Sequence, residues 1–575
     1  MLALALATVH AVSAQQLGTN LLFNGGFEEQ QDGQPAGWTK TGQGMLGLGP
    51  GLNGNASLKL TVRAQTNETA HVWALSQKFS VTPGKHYLLV FSAKTDIPYP
   101  KGSDSQIYWY FQNAQGQGLP QQQEWYVPVS RYYCRNKWQI AHYLVTAPTG
   151  AVTAQISTHL VTTDREPEAV LYLDGLRITE YTPPAPGEKS QFYAAATYGV
   201  GGEMVEDTAA TTRRAWQVTK TKHAVGGKIS GPLIMDQAPG LYRATYRLKV
   251  ADNTSPKRVV YLHITGDELA DTPQTTGLTL LGTDFRKAGE YQEFSMEFIR
   301  SPLGGLQYLV TWYGTTDMTL DGVTIRQEKI LSDADWVNLY GLSTAAVQIQ
   351  LGNGVLLCRG LNTPSWKLDA ALAGTQTVTQ AWLYTGAGGV PRLDPPFPLE
   401  SEGLKPYRLV ILADVPPESL GFLGRRALRD FVASGGGLLV LGGFHALGAG
   451  GVQRSFLEDL LPVTVGSVFD LCPCKPPTIL KPARRKLFSS DVKWDPAPVC
   501  LWQNTVQTKE EAKVIIKAGD MPFLIVGSYG KGRVAVCTGT VLGQAPKGTM
   551  PFWEWKDWPE VISEAIDYLS QRRKW

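Results

Sequence analysis

The stretch "LLVLGGFHALGAGG", residues 438–451, is where chemistry is first to be looked for. The apolar run Leu438 to Leu441 reads as a buried strand that opens into glycines. In α/β folds this is the position that carries nucleophiles and ligand sites. A nucleophile there would be a serine or cysteine beside a base. The residues present are Gly443, Phe444 and His445, so the turn has the form of a nucleophile elbow without a thiol or hydroxyl. Cys472, Cys474, Cys500 and Cys537 follow it, and none lies in a Gly-x-Cys-x-Gly turn. Three roles stay open for His445: a turn residue with a satisfied hydrogen bond, a contact for a ligand or partner chain, or a base without a nucleophile. The surrounding glycines allow the backbone to turn and approach its neighbours closely.

Other catalytic patterns are thin. "GVGG" and "GAGG" lack the lysine and the strand-to-helix setting of a phosphate loop. No His-rich metal motif is present, and "CPC" (472–474) has no second Cys or His pair to complete a zinc site. Scattered Asp and Glu residues could form a glycosidase pair, but none is singled out. The 16 Trp and 23 Tyr include candidates for stacking on the apolar face of a sugar ring.

The elements that must position such groups fall into two textures. At 575 residues, 43% hydrophobic and 18% charged, the chain has room for three or four domains with large cores. A net charge of +3 without a long basic run argues against nucleic acid as a partner. "MLALALATVHAVSA" (1–14) reads as a signal peptide without the usual leading basic residue, and is too short for a membrane span. Export would permit disulfides, whose pairing spacing cannot give; Cys358 and Cys537 lie in apolar runs and are expected as buried thiols.

Residues 15–181 read as a β-sandwich, with strands in "HYLLVFSAK" (86–94), "QIYWYF" (106–111), "VTAQIST" (152–158) and "VLYLDGLRI" (170–178). A Pro-rich linker, 182–190, follows. Residues 191–327 repeat the plan: "TPGKHYLLVFSAK" parallels "APGLYRATYRLKV" (238–250), and "LYLDGLRI" parallels "MTLDGVTI" (318–325). Two landmarks in the same order indicate an internal duplication. From 328 to 575 the runs "GVLLCRG", "YRLVILADV" and "GGLLVLGG" suit strands covered on both faces. Leu420, Leu423, Ala427, Leu428 and Phe431 give a helix between the last two, capped by Gly435, and hence a parallel βαβ unit. "FLIVGSYGKGRVAVCTG" (523–539) reads as a hairpin, and Trp558, Val561, Ile562, Ala565 and Leu569 line a final helix.

"NLLFNGGFEEQQDGQPAGW" (20–38), with the closing "YLDGLRI", resembles the CenC-type carbohydrate-binding modules, jelly-roll sandwiches of the galactose-binding-like group. The resemblance implies a structural calcium near Glu28 and Asp174, with backbone carbonyls completing its ligands. On the residues alone, ordinary turn and hydrogen-bonding roles for the pair stay open. It also implies sugar binding through aromatics, for which Trp73, Trp109, Trp125 and Tyr126 are the candidates. In "QIYWYF", Tyr108 and Tyr110 point opposite to Trp109, so one set must be core.

The stretches "FVASGGGLLVLGGFHALGAGG", "FLEDLLPV" and "FLIVGSYGKGRVAVCTG" resemble the class I glutamine-amidotransferase-like superfamily, which implies a flavodoxin-like α/β domain over 328–575. That family activates its elbow cysteine with a histidine that comes later in the chain. Here His445 is the last of eight histidines, so the inherited mechanism lacks its parts.

The expectation is a bacterial, secreted, periplasmic or cell-surface protein: two tandem jelly-roll sandwiches and a degenerate amidotransferase-like domain. It would bind a polysaccharide without catalysis, the α/β domain acting as scaffold, interaction platform or homo-oligomer contact. The competing expectation is a carbohydrate-active hydrolase with its site in the α/β cleft or between domains.

Overall fold

The structure is a computed structural model that describes residues 19–575 except 53, 66–67, 97–101, 121–124, 130–137, 183–188, 230, 235–239, 267–274, 301–305, 362, 384–391 and 490. The expected signal peptide, Cys134 and most of the expected linker lie outside the described residues.

The first sandwich is built from β1 (Thr39–Gly42), β2 (Met45–Gly49), β3 (Ser57–Val62), β4 (Ala70–Leu75), β5 (His86–Thr95), β6 (Ser103–Gln112), β7 (Tyr126–Pro128), β8 (Gln139–Thr146), β9 (Thr153–Thr162) and β10 (Ala169–Tyr181). The front sheet runs β7-β6-β9-β4-β1 and the back sheet β8-β5-β10-β3-β2. Between them lies a core that includes Leu58, Leu60, Phe91, Ile107, Trp109, Ile156 and Leu171.

The second sandwich repeats the plan with β11 (Gly240–Val250), β12 (Arg258–Gly266), β13 (Gln292–Arg300), β14 (Leu306–Trp312) and β15 (Met318–Ile330) as its long strands. In both units the closing Asp-Gly strand pairs antiparallel with the strand after Pro-Gly, β10 with β5 and β15 with β11. Both pairings shift register beside the Asp-Gly, which locates the repeated landmark at a bulge. Strand structure resumes at Ser190 and β15 continues to Ile330, so the unit is slightly wider than the expected 191–327.

The last unit is α/β with a mixed sheet. Its labelled elements are α1 (Asp333–Tyr340), β16 (Gly354–Arg359), β17 (Thr377–Leu383), β18 (Tyr407–Ala413), α2 (Gly421–Ala433), β19 (Gly437–Leu441), α3 (Phe456–Leu460), β20 (Leu471–Pro482), β21 (Val499–Asn504), β22 (Met521–Tyr529), β23 (Gly532–Cys537) and α4 (Trp558–Leu569). Strands β17, β16, β18, β19 and β23 are parallel neighbours. The sheet then continues antiparallel through β22 towards β20 and β21. The parallel sheet implied by the flavodoxin-like resemblance is therefore present in one half of the sheet only. The hairpin β22–β23 turns the chain back and lets an antiparallel extension grow from the parallel edge. Helix α2 bridges β18 and β19 as the apolar spacing requires; Ser434 closes it and Gly435 takes φ +113°. Among the described residues no helix is long and apolar enough to cross a membrane.

The three units share an apolar cluster. Trp336, Val337 and Tyr340 of α1 pack with Leu88, Val90 and Ile140 from the first sandwich, Leu241 and Ile299 from the second, and Phe422 and Phe456 from the third. At the start of α1, Asp333 makes a two-pronged ion pair with Arg425 of α2, Oδ1 to Nη2 at 2.7 Å and Oδ2 to Nε at 2.8 Å. Asp333 Oδ2 also accepts from the Phe456 amide at 2.9 Å.

His142 of β8 is buried in this junction. Its Nε2 faces the Ile299 carbonyl at 3.0 Å and so donates to it, leaving Nδ1 to accept from the Tyr340 hydroxyl at 3.1 Å. Burial pushes the imidazole down from 6.5 to about 4. The unfolded chain therefore takes up this proton first as pH falls, and the group's contribution is complete above about 6.5 and lost towards 4. Acidifying from pH 7 to pH 5 should cost about 2 kcal/mol through His142 alone. Denaturation midpoints of the intact chain and of His142→Gln across that range check this: the variant should have a shallower acid slope.

Candidate functional site

The outer face of the front sheet carries a convergent set of aromatic and polar groups. It arises from parity. Along β6, Ser103, Ser105, Ile107, Trp109 and Phe111 are buried, while Asp104, Tyr108, Tyr110 and Gln112 lie partly or fully open. Along β4, Val72 and Ala74 go inward and His71, Trp73 and Leu75 outward. Strand pairing then sets Trp73 directly opposite His159, His159 opposite Gln106, and Tyr108 opposite Tyr126.

The result is a continuous row. Trp73 stacks on His159 with ring centroids 3.6 Å apart and planes 9° from parallel. Tyr108 lies 5.4 Å from Trp73, 5.1 Å from Tyr126 and 6.1 Å from Tyr110. Gln106 fixes the polar side of this row. Its Nε2 donates to Asp104 Oδ2 at 2.7 Å, so its Oε1 is the acceptor for the Tyr108 hydroxyl and for His159 Nδ1, each at 2.9 Å. His159 Nδ1 thus holds the proton, and Nε2 accepts from His71 Nδ1 at 2.9 Å. Burial, reinforced by His71, pushes His159 down to about 4, which keeps the ring neutral near neutral pH. Burial also raises the Tyr108 and Tyr110 hydroxyls. The face therefore offers neutral rings and hydroxyls, with one carboxylate at its edge.

Of the aromatics expected to meet a sugar, Trp73 and Tyr126 lie on this face. Trp109 and Trp125 correct that expectation: they are 0% and 3% exposed and fill the core. Trp109 packs against Phe79 and Phe111, and Trp125 lies edge-on to Phe111 at 4.9 Å. Their parity is that of Ile107, Phe111 and Val127, which points between the sheets. Tyr108, Tyr110, Gln106 and His159 were missed. The signal was available: Asp104, Gln106 and Gln112 share the even positions of β6, and a face carrying them is the wet one.

Glu28 and Asp174 act on one loop. Asp174, buried at the bulge of β10, accepts from the amides of Leu52 at 2.7 Å and Gly175 at 2.6 Å. Glu28 accepts from the Ala56 amide at 3.1 Å. The duplicated residue in the second sandwich, Asp321, instead accepts from the Thr211 amide and hydroxyl and pairs with the Arg247 guanidinium.

The elbow is held by side chains. Asp414, at the end of β18, accepts from the backbone amides of His445, at 2.9 Å, and Phe444. Burial pushes the Asp414 carboxyl up to about 6. Asn504 of β21 grips Gly443 from both sides, accepting from its amide at 3.0 Å and donating to its carbonyl at 3.1 Å. A Cβ on Gly443 would meet the Asp414 carboxylate at 2.0–2.5 Å, so this glycine is required by close approach. Phe444 is 39% exposed, and His445 is half-buried with its ring lowered by that burial.

Residues 392–571 match the GATase1_like family model, described as "Putative glutamine amidotransferase". No curated protein matches the chain. Among solved structures, a cytoplasmic protein of Salmonella typhimurium, STM3548, is 15% identical over 38% of this chain and 98% of its own, with a TM-score of 0.31. The tandem CBM22-1–CBM22-2 domain of Paenibacillus barcinonensis Xyn10C is 16% identical over 55% of this chain and 99% of its own, with a TM-score of 0.21. TmCBM61, solved with β-1,4-galactotriose, is 14% identical over 28% of this chain and 100% of its own, with a TM-score of 0.20.

Proposed function

We propose that the chain is an exported, non-catalytic polysaccharide-binding protein whose first sandwich holds the glycan on its front sheet. The amidotransferase-like domain acts as scaffold. The observation that carries the reading is the ring row Trp73–Tyr108–Tyr126, each ring partly exposed on the outer face and flanked by the fixed amide of Gln106. Aromatic faces bury the apolar face of a pyranose, and fixed amide and hydroxyl groups select its hydroxyls. Apolar burial at roughly 25 cal/mol per Å² gives one ring about 1–3 kcal/mol. Trp73→Ala should therefore weaken retardation in affinity electrophoresis on a β-glucan or xylan at least tenfold, with the melting temperature of the domain little changed. If no polysaccharide in a broad panel retards the intact protein, the reading fails.

The elbow supports the non-catalytic half of the proposal. The amides of Phe444 and His445, which a hydrolase would aim at an oxyanion, are given to Asp414. Ammonia should not be released from glutamine; release that a thiol alkylator abolishes would overturn this. The calcium implied for Glu28 and Asp174 would have to draw most of its ligands from backbone carbonyls, because both carboxylates already accept amide hydrogens. On this proposal millimolar calcium raises the melting temperature of the first sandwich and a chelator reverses it; identical melting curves would remove the ion from the account.

A further inference from the structure

We propose that Cys474 and Cys500 form a thiol pair that closes into a disulfide by exchange with a small-molecule disulfide of the glutathione or cystine class. The two residues are 26 positions apart in the chain but adjoin across the β20–β21 pairing. There Pro473 lies opposite Trp502 and Thr478 opposite Cys500, with the ladder irregular between. Cys474 falls within that irregular stretch and packs against the apolar cluster that holds Cys500, which brings the two thiols close enough to act on one another. Cys474 Sγ also approaches Gln503 Oε1 at 4.0 Å, and Cys500 Sγ approaches the Trp502 carbonyl at 3.2 Å.

Access separates their roles. Cys474 is half-buried and can meet a small molecule, whereas Cys500 is 0% exposed behind it. The contact from Cys500, supported by Thr478, holds the Cys474 thiol below its usual range, which favours its thiolate. The same contact and burial push Cys500 up. Cys474 is thus the attacking sulfur and Cys500 the resolving one.

In the first step the Cys474 thiolate bonds to one sulfur of the disulfide R–S–S–R, and RS⁻ leaves. In the second, RS⁻ takes the Cys500 proton as the Cys500 sulfur attacks Cys474 Sγ. The S–R bond breaks, and a second RS⁻ leaves to be protonated by solvent. Two protein thiols are oxidised and one small disulfide is reduced to two thiols. The new bond ties the irregular stretch 473–478 to the strand that carries Asn504, the residue gripping the elbow at Gly443.

The full-length protein is incubated with oxidised glutathione, quenched with iodoacetamide and mapped by mass spectrometry without reduction. The expected result is a cross-linked peptide joining Cys474 to Cys500, lighter by two hydrogens than the sum of the reduced peptides. Cys358 and Cys537, both 0% exposed, should be alkylated only after unfolding. Cys472→Ser should leave the cross-link intact, because Cys472 is exposed and outside the contact. Cys474→Ser should abolish it while the melting temperature stays close to that of the parent. Stable glutathionylation of Cys474 with Cys500 still free, pairing of Cys474 with any other cysteine, or no reaction at Cys474 would each overturn the proposal.

Discussion

Trp109→Ala should lower the stability of the first sandwich by about 3–5 kcal/mol, the range for removing a large aromatic from a packed core. Trp109 is fully buried between the sheets with Phe79 and Phe111 as ring neighbours, so an alanine leaves a cavity in a close-packed core. Trp73→Ala, on the opposite face of the same sheet, removes a half-buried ring and should cost far less stability. The two variants therefore separate two effects. Thermal or denaturant unfolding should respond strongly to Trp109 and weakly to Trp73, and polysaccharide retardation should respond to Trp73 while the folded fraction of Trp109→Ala still binds. Equal melting temperatures for the two variants would mean that the parity assigned to the front sheet is wrong.

Asp333→Ala should cost about 3–5 kcal/mol, because it breaks a buried ion pair by removing one partner. Arg425 is 4% exposed and faces both oxygens of Asp333, which also accepts the Phe456 amide. Removing the carboxylate takes the two-pronged acceptor from the guanidinium, which keeps its longer contact to the Pro417 carbonyl, and takes the acceptor from the Phe456 amide at the point where α1, α2 and α3 meet. Replacing both partners, Asp333→Leu with Arg425→Met, should recover most of the loss, since an apolar pair of similar volume avoids the desolvation cost of the ions. Denaturation midpoints of the two single variants and the double variant form the test. A double variant as unstable as Asp333→Ala would place the effect in helix capping at α1 rather than in the broken ion pair.

The sandwiches were legible because their strands alternate. Polar residues at every second position of β6 give one wet and one dry face, and the repeated Pro-Gly and Asp-Gly landmarks announce the second copy. What misled the reading of Trp109 and Trp125 was residue type: a tryptophan is equally at home in a core and on a sugar platform, and only its parity decides. The run from Tyr87 to Ala93 in β5 carried a further signal. It does not alternate, as a strand covered on both faces does not, and its outward residues Leu88 and Val90 are buried in the three-way junction. Which element covers them could not be read, since α1 has only eight residues and lies far along the chain. The turn that follows β19 was legible from the glycines after an apolar run. Its supports, Asp414 and Asn504, were not, because they lie 31 residues before His445 and 61 after Gly443. The contact between Cys474 and Cys500 depends on a strand irregularity that no local spacing encodes.

The two sheets of the first sandwich face different worlds. The back sheet is pinned into the junction through Leu88, Val90, Ile140 and His142, while the ring row of the front sheet stays outside the junction. From β7 across β6 and β9 to β4, that row crosses three strand intervals, about 14 Å. A platform of this kind, unlike a blind pocket, needs no chain terminus. On the proposed function, a long polymer can lie across it at any of many overlapping registers, entering from one side and leaving by the other. Apparent affinity per polymer chain should then grow with the number of registers, even though each contact is weak. The protein would sort its targets by length as much as by linkage, and short oligosaccharides would compete poorly against the chain they were cut from.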